Sequence, residues 1–207
     1  MKVGVLALQG GYQAHARMLQ HIGIEAINVR ESNDFTELEG LILPGGESST
    51  QLKLIDRFSL KAPLQQFAQS GKPIFGTCAG LILTAKRVHD PIQSSLEWLD
   101  VDVQRNGWGR QLDSFEAMAD DGQTPLCFIR APRITRVGRS VEVLATYRQE
   151  PILVREKNIV GATFHPELRD HTLLYQQIFK NAHHRLKNNK DRKTLLTNTV
   201  SASSPKP

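Results

Sequence analysis

Cys78 stands between glycines two residues away on each side, in Gly76-Thr77-Cys78-Ala79-Gly80. A short apolar run, Pro73-Ile74-Phe75, leads in, and a helix-like run, Leu81-Ile82-Leu83, leads out. A tight turn between a strand and a helix lifts one side chain above the strand ends, and small neighbours permit the crowded backbone. At a helix N-terminus, unpaired N–H groups and the helix dipole favour the thiolate of such a cysteine. The backbone N–H of the next residue, Ala79, then points where an oxyanion would form. A thiol nucleophile needs a base, and the base needs an acceptor that orients it. The stretch Thr163-Phe164-His165-Pro166-Glu167-Leu168 offers both. His165 ends a strand-like run, Pro166 holds it extended, and Glu167 is close enough in sequence to turn back to the imidazole. The plainer alternatives are a buried structural cysteine and a surface His–Glu pair. The glycine frame weighs against the first, and neither motif decides alone.

A third stretch, Leu41-Ile42-Leu43-Pro44-Gly45-Gly46-Glu47-Ser48-Ser49-Thr50, ends a buried strand in Pro-Gly-Gly. It exposes backbone N–H groups at the same sheet edge, and the one on Gly46 is the candidate second oxyanion donor. A phosphate-binding loop is the rival reading, but the lysine of a P-loop and the spacing of a dinucleotide fingerprint are both missing. Cys127, within Leu126-Cys127-Phe128-Ile129, reads as a packing residue. His15, His21, His89, His171, His183 and His184 lack a partner pattern like that of His165 and are expected to be solvated. No Cys/His/Asp spacing indicates a metal site, even beside His183-His184.

These groups need a scaffold that brings strand ends together. Residues 2–9 form a nearly continuous apolar run, as in a parallel strand covered on both faces. Residues 12–23 follow with helical spacing and close on Gly23, a C-cap signal. Short strands are expected at 25–30, 40–46 and 72–77, and helices at 50–58, 62–71 and 79–88. The alternation predicts an open, mostly parallel α/β sheet flanked by helices. From about residue 92 to 164 shorter runs (99–105, 125–131, 141–147, 151–164) predict added antiparallel strands, and residues 172–186 a last helix.

The chain has 207 residues, enough for one well-formed core, and a formal net charge of +5. That charge is local. From Arg185 onward there are six Lys/Arg and one acid, Asp191, which leaves 20 basic and 20 acidic side chains before it. The expected organisation is a catalytic domain over residues 1–187 and a basic, disordered tail over 188–207. A balanced body argues against nucleic acid as a partner. No apolar run reaches the ~18 residues of a membrane span. The apolar N-terminal run reads as a first strand rather than a leader, and two unpaired-looking cysteines fit the cytoplasm.

The ordered set Leu6-Ala7-Leu8-Gln9-Gly10-Gly11, residues 43–49 (LPGGESS), 76–80 (GTCAG), 105–116 (RNGWGRQLDSFE), 128–132 (FIRAP) and 164–168 (FHPEL) resembles the glutaminase subunits of pyridoxal 5′-phosphate synthase, which are class I glutamine amidotransferases. The similarity runs from about Lys2 to Phe179. It implies the three-layer, flavodoxin-like fold of that class. It implies hydrolysis of L-glutamine to glutamate and ammonia, with ammonia passed to a separate barrel-shaped synthase subunit that builds the vitamin B6 cofactor. It implies no cofactor or metal for this chain. Cys78 matches the family nucleophile, His165 the base and Glu167 the residue that orients it. Gly46 and Ala79 match the oxyanion donors. Gly46, Glu47, Ser48, Arg105, Ile129 and Arg130 match positions that contact glutamine. Gly107-Trp108 stands where a small residue and then Phe or Tyr are more usual, and a larger aromatic there is expected to reshape the pocket wall. Glu97 replaces a common glycine. An amidotransferase serving another acceptor and a non-catalytic partner-binding module are the alternatives; the complete Cys78/His165/Glu167 set argues against the second.

Overall fold

The computed structural model describes residues 1–108, 114–169 and 171–180. Twelve strands and five α-helices occur among them. In chain order the first part is β1 (Lys2–Leu6), α1 (Tyr12–His21), β2 (Glu25–Val29), β3 (Gly40–Leu43), α2 (Ser48–Arg57), α3 (Lys61–Gln69), β4 (Ile74–Thr77) and α4 (Ala79–Thr84). The second part is β5 (Ala85–His89), β6 (Leu99–Gln104), β7 (Ser114–Met118), β8 (Pro125–Ile129), β9 (Arg133–Val137), β10 (Glu142–Tyr147), β11 (Glu150–Glu156), β12 (Ile159–Ala162) and α5 (Thr172–Tyr175), which runs on as a π-helical turn over Gln176–Lys180.

Seven strands form the central sheet in the order β10-β11-β12-β4-β3-β1-β2. From β12 to β2 all neighbours are parallel, whereas β10, β11 and β12 pair antiparallel. This is the doubly wound arrangement expected from the alternating sequence. The chain leaves β1 toward β2 on one side and later returns to β3 on the other. Such a reversal opens a crevice beyond the carboxyl ends of the strands, where ligands bind in sheets of this kind. Two further sheets, β5-β6-β9 and the hairpin β7-β8, flank it.

Strand residues divide between the two faces with period two. Leu6, Leu41, Leu43 and Ile74 pack with Ile55, Leu64 and Phe67 on one side. Val3, Val5, Ile42 and Phe75 pack with Leu19, Ile22, Tyr175 and Phe179 on the other. Gly23 and Gly71, just beyond α1 and α3, adopt positive φ as helix-ending glycines do.

Three sequence expectations change. The helix expected over 79–88 ends at Thr84, and residues 85–89 form β5, paired in parallel with β6. Exposed Lys86 and Arg87 sit between buried Ala85 and Val88, so tertiary pairing overrides the helical spacing. The first strand stops at Leu6, leaving Ala7 to Gly11 to form a loop over the crevice. No strand is expected from the sequence at β7 or β9, both only five residues long with polar and apolar residues mixed. The tail expected over 188–207 and residues 181–186 of the expected last helix lie outside the described residues.

Candidate active site

Four loops at the carboxyl ends of adjacent parallel strands meet in the crevice. They follow β1, β3, β4 and β12, and they carry Gln9 to Gly11, Gly45 to Glu47, Cys78, and His165 to Glu167.

Cys78 has φ 49° and ψ −103°, a conformation that L-residues rarely adopt, and it begins α4. The glycine frame explains how the chain accepts this turn. A Cβ at position 76 would stand 2.7 Å from the Gly80 carbonyl oxygen, and one at position 80 only 1.9 Å from the Leu43 carbonyl oxygen. Both positions are therefore closed to any side chain. The Cys78 N–H donates to the Ala162 carbonyl (2.9 Å), fixing the elbow to β12. The thiol is almost fully buried, at 6% exposure, with Sγ 3.8 Å from the Ile129 carbonyl oxygen.

His165 lies opposite. His165 N–H donates to the Cys127 carbonyl (2.9 Å), and its Nδ1 lies 2.7 Å from Glu167 Oε1. Pro166 begins a 3₁₀ turn, Pro166–Leu168, which brings Glu167 back beside the ring. With Nδ1 engaged, Nε2 makes no hydrogen bond to nitrogen or oxygen among the described residues and stays open toward the thiol. Burial alone would lower the His165 pKa. The Cys78 sulfur and the Glu167 carboxylate outweigh it and raise the value to about 11, which favours the imidazolium. Glu167 is held below the ordinary carboxylate value in spite of its burial, by the two imidazoles it faces, His15 and His165. Gly45 makes room for this meeting. A Cβ there would come within 2.5 Å of His165 Cε1 and 3.5 Å of Cys78 Cβ.

The Pro-Gly-Gly loop is tied to the loop after β1. Gly11 N–H donates to the Gly45 carbonyl (2.9 Å), Glu47 N–H to Gln9 Oε1 (2.8 Å), and Gln51 Nε2 to the carbonyls of Gln9 and Pro44. Because the Gly45–Gly46 peptide is trans, the Gly46 N–H points away from Gly11. Glu47 caps α2. Its carboxylate accepts from the Ser49 and Thr50 N–H groups and hydroxyls, and these bonds bring its pKa down to about 2 against the effect of burial. One of its oxygens also accepts from Arg105 (2.8 Å), whose other arm reaches Gln93 Oε1 (3.1 Å). Ser48 is buried and donates to the same Gln93 oxygen (3.0 Å).

Gly46, Glu47, Ser48, Cys78, Arg105, Ile129, Arg130, His165 and Glu167 thus line one cleft of about 300 Å³. Ala79, directly after Cys78, is buried and is not among the lining residues. The other sequence-derived candidates are brought together in it, although the Glu47 and Arg105 side chains hold each other. Trp108 does not line the cleft. It packs against Phe128 and Tyr147, with ring centroids 5.5 Å away in each case. A larger groove of about 880 Å³ lies where β4 and β12 begin, at Pro73 and Asn158, and holds none of the candidate groups.

Two histidines expected to be solvated are buried. His15 is fully enclosed, and His171 binds the Pro125 carbonyl oxygen at 2.6 Å. The signal for His15 was present, because it shares the apolar stripe of α1 with Leu19 and Ile22. Gln9 and Gln51, which shape the glycine loop, carried no recognisable motif. Cys127 is half-buried and stays in the wall beside His165. Among the described residues no cluster of His, Cys, Asp and Glu is disposed to hold a metal ion, and no helix is long and apolar enough to cross a membrane.

A thiol on a strained elbow faces a buried imidazole–carboxylate pair at the switch point of a doubly wound sheet, an arrangement whose chemistry is compatible with one class of reaction, acyl transfer through a thioester. Comparison with known proteins gives the class a narrower address: residues 5–184 match the SNO glutamine amidotransferase family, and the chain belongs to that family. The pyridoxal 5′-phosphate synthase subunit PdxT of Geobacillus thermodenitrificans is 50% identical over 175 residues, covering 82% of this chain and 89% of that protein. The same subunit of Shouchella clausii is 45% identical over 184 residues, covering 87% and 94%. A solved structure described as a glutamine amidotransferase superposes with a TM-score of 0.81 at 40% identity, over 87% of this chain and 98% of that one.

Proposed function

We propose that this chain is the glutaminase subunit of a pyridoxal 5′-phosphate synthase, hydrolysing L-glutamine to L-glutamate and ammonia for a separate synthase subunit. The observation that carries the reading is the meeting of Cys78 with the His165–Glu167 pair in one cleft, in a chain of this family. In this reading Cys78 Sγ attacks the side-chain amide carbon of glutamine, and the Ala79 and Gly46 N–H groups receive the oxyanion. His165 gives its proton to the departing nitrogen, the C–N bond breaks, and ammonia leaves a γ-glutamyl thioester. His165 then takes a proton from water, whose oxygen attacks the thioester and releases glutamate and the thiol. Glu167 keeps the ring oriented throughout.

Ile129 and Arg130 form the wall across from the Gly46–Ser48 loop, and Arg105 stands at the polar end of the cleft for the substrate's charged groups. The high identity to synthase subunits supports a hetero-oligomer with the synthase barrel, and the two free cysteines support a cytoplasmic setting. The test is glutamate release by the chain mixed with a synthase subunit, with pyridoxal 5′-phosphate formation from a pentose phosphate and a triose phosphate as the second readout. Glutamate release without any cofactor formation would point to a different acceptor. Absence of glutamate release from the mixture would refute the reading.

A further inference from the structure

Behind Glu167 lies a polar group to which the reaction above gives no part. His15, on α1, is 0% exposed. Its Nε2 is 3.4 Å from Glu167 Oε2 and 3.1 Å from Thr77 Oγ1, and its Nδ1 is 2.6 Å from the Tyr175 hydroxyl. Tyr175, on α5, is itself fully buried between Phe75 and Phe179. The titratable groups around His15 are therefore Glu167, His165 beyond it, and Tyr175 on the other side. Among the described residues, the ion-pair partners of Glu167 are these two imidazoles, one on each carboxylate oxygen.

The contacts select a tautomer. A nitrogen facing a carboxylate oxygen must present a hydrogen, since two lone pairs would repel. Nε2–H therefore points at Glu167 Oε2 and Thr77 Oγ1, and Nδ1 carries the lone pair that accepts the Tyr175 O–H. Glu167 Oε2 is buried and has no hydrogen-bond partner among the described residues, so the His15 N–H is the donor placed nearest to meet it. At 3.4 Å the two groups face each other without a formed hydrogen bond, and catalytic contacts often tighten only when substrate binds.

Resting on the glutaminase reading, we infer that His15 is a positioning residue for amide hydrolysis: a neutral imidazole, its tautomer fixed by Tyr175, holds Oε2 of Glu167 so that Oε1 stays aimed at His165. Neutrality is the useful property. A cation at this place would compensate Glu167 and weaken its hold on the His165 imidazolium, whereas a neutral donor fixes the carboxylate and leaves its charge intact. Burial keeps His15 in that form, lowering its pKa to about 4 against the opposing pull of Glu167.

The experiment uses the full chain with its synthase and compares wild type with His15→Phe, His15→Gln and Tyr175→Phe. His15→Phe should lower kcat roughly 10–100-fold with KM little changed, the usual scale for a lost orienting partner. It should also move the acid limb of kcat/KM to higher pH, because a carboxylate deprived of a donor protonates more readily. His15→Gln, which keeps an N–H donor, should recover part of the loss, and Tyr175→Phe should show a smaller change in the same direction. ¹⁵N NMR of His15 should report the Nε2–H tautomer. An unshifted pH limb, with any activity loss matching only the unfolded fraction, overturns the proposal, and so does the Nδ1–H tautomer. If His15→Phe does not fold, His15→Gln and Tyr175→Phe decide by the same criterion. If the wild-type complex releases no glutamate, the glutaminase reading fails separately. The pH dependence of Cys78 alkylation in the same variants then decides whether His15 acts on the Cys78–His165 pair.

Discussion

Gly80 sits so close to Leu43 that a Cβ on residue 80 would stand 1.9 Å from the Leu43 carbonyl oxygen. The helix carrying the elbow is thus pressed directly onto the end of β3, and Cys78 is held by backbone packing rather than by its own side chain. Gly80→Ala should lower stability by about 1–3 kcal/mol or prevent folding, as overpacking against backbone does. Urea midpoints compare the variant with wild type, and equal midpoints would mean that α4 can lift away from β3.

Cys78→Ala should abolish glutamate release while leaving the circular dichroism spectrum unchanged. Cys78→Gly should be equally inactive but more stable than the alanine variant by roughly 1–3 kcal/mol, because glycine tolerates the positive φ that alanine must bear. Cys127→Ala should keep its activity. Alkylation of Cys127 ahead of Cys78 would contradict the assignment of the nucleophile.

Most of the scaffold was legible because its strands are buried on both faces and read as apolar runs between glycine stops. The elbow and the His165–Glu167 turn were legible because small residues are obligatory around Cys78 and because Pro166 begins the turn after His165. What the sequence hid was tertiary. Residues 85–89 have helical spacing but find a strand partner in β6. His15 has a polar name and an apolar address, and only the fold reveals that Glu167 and Tyr175, distant in the chain, meet it there. The side chains of Glu47 and Arg105 could each be marked as near the substrate, but not that they would hold each other.

Glu47→Ala should remove a helix cap, at about 1 kcal/mol, and release Arg105 from its 2.8 Å pair. Arg105→Ala should raise KM for glutamine by more than it lowers kcat, since its proposed contact is with groups remote from the reacting amide. A KM unchanged in the Arg105 variant would remove it from the substrate pocket.

Stability should fall on both sides of neutrality, for opposite reasons. The His15 pKa of about 4 lies below the ordinary value of 6.5, so between those values the unfolded chain takes up a proton that the native chain refuses. Stability from a neutral His15 is complete above pH 6.5 and drains away as pH falls toward 4, by roughly 3 kcal/mol. For His165, raised to about 11, the contribution is complete below 6.5 and is lost as pH rises through 11. Thermal midpoints across pH 4–7 should slope in wild type and flatten in His15→Gln. Equal slopes would show that another group sets the acid limb.

The isolated chain should turn over glutamine slowly, and adding synthase should raise mainly kcat. The Gly45–Gly46 peptide is secured at its carbonyl by Gly11, and the permissive Gly-Gly pair allows the Gly46 N–H to be presented only on partner contact. One oxyanion donor is worth roughly 10²–10³ in rate. An isolated chain as fast as the complex would show that no such gating exists.

The position of β12 bears on how the enzyme is born. That strand lies between β4 and β11, so the hairpin partner made just before it and the elbow strand made much earlier both wait for it. During synthesis the elbow emerges more than eighty residues ahead of His165, in a sheet whose place beside β4 is still vacant. A nascent or truncated chain that stops short of β12 carries the thiol without its base and without the Ala162 carbonyl that pins the Cys78 backbone. On the proposed assignment, the groups for glutamine hydrolysis come together only when the last strand enters the sheet, and incomplete chains should be mute toward glutamine.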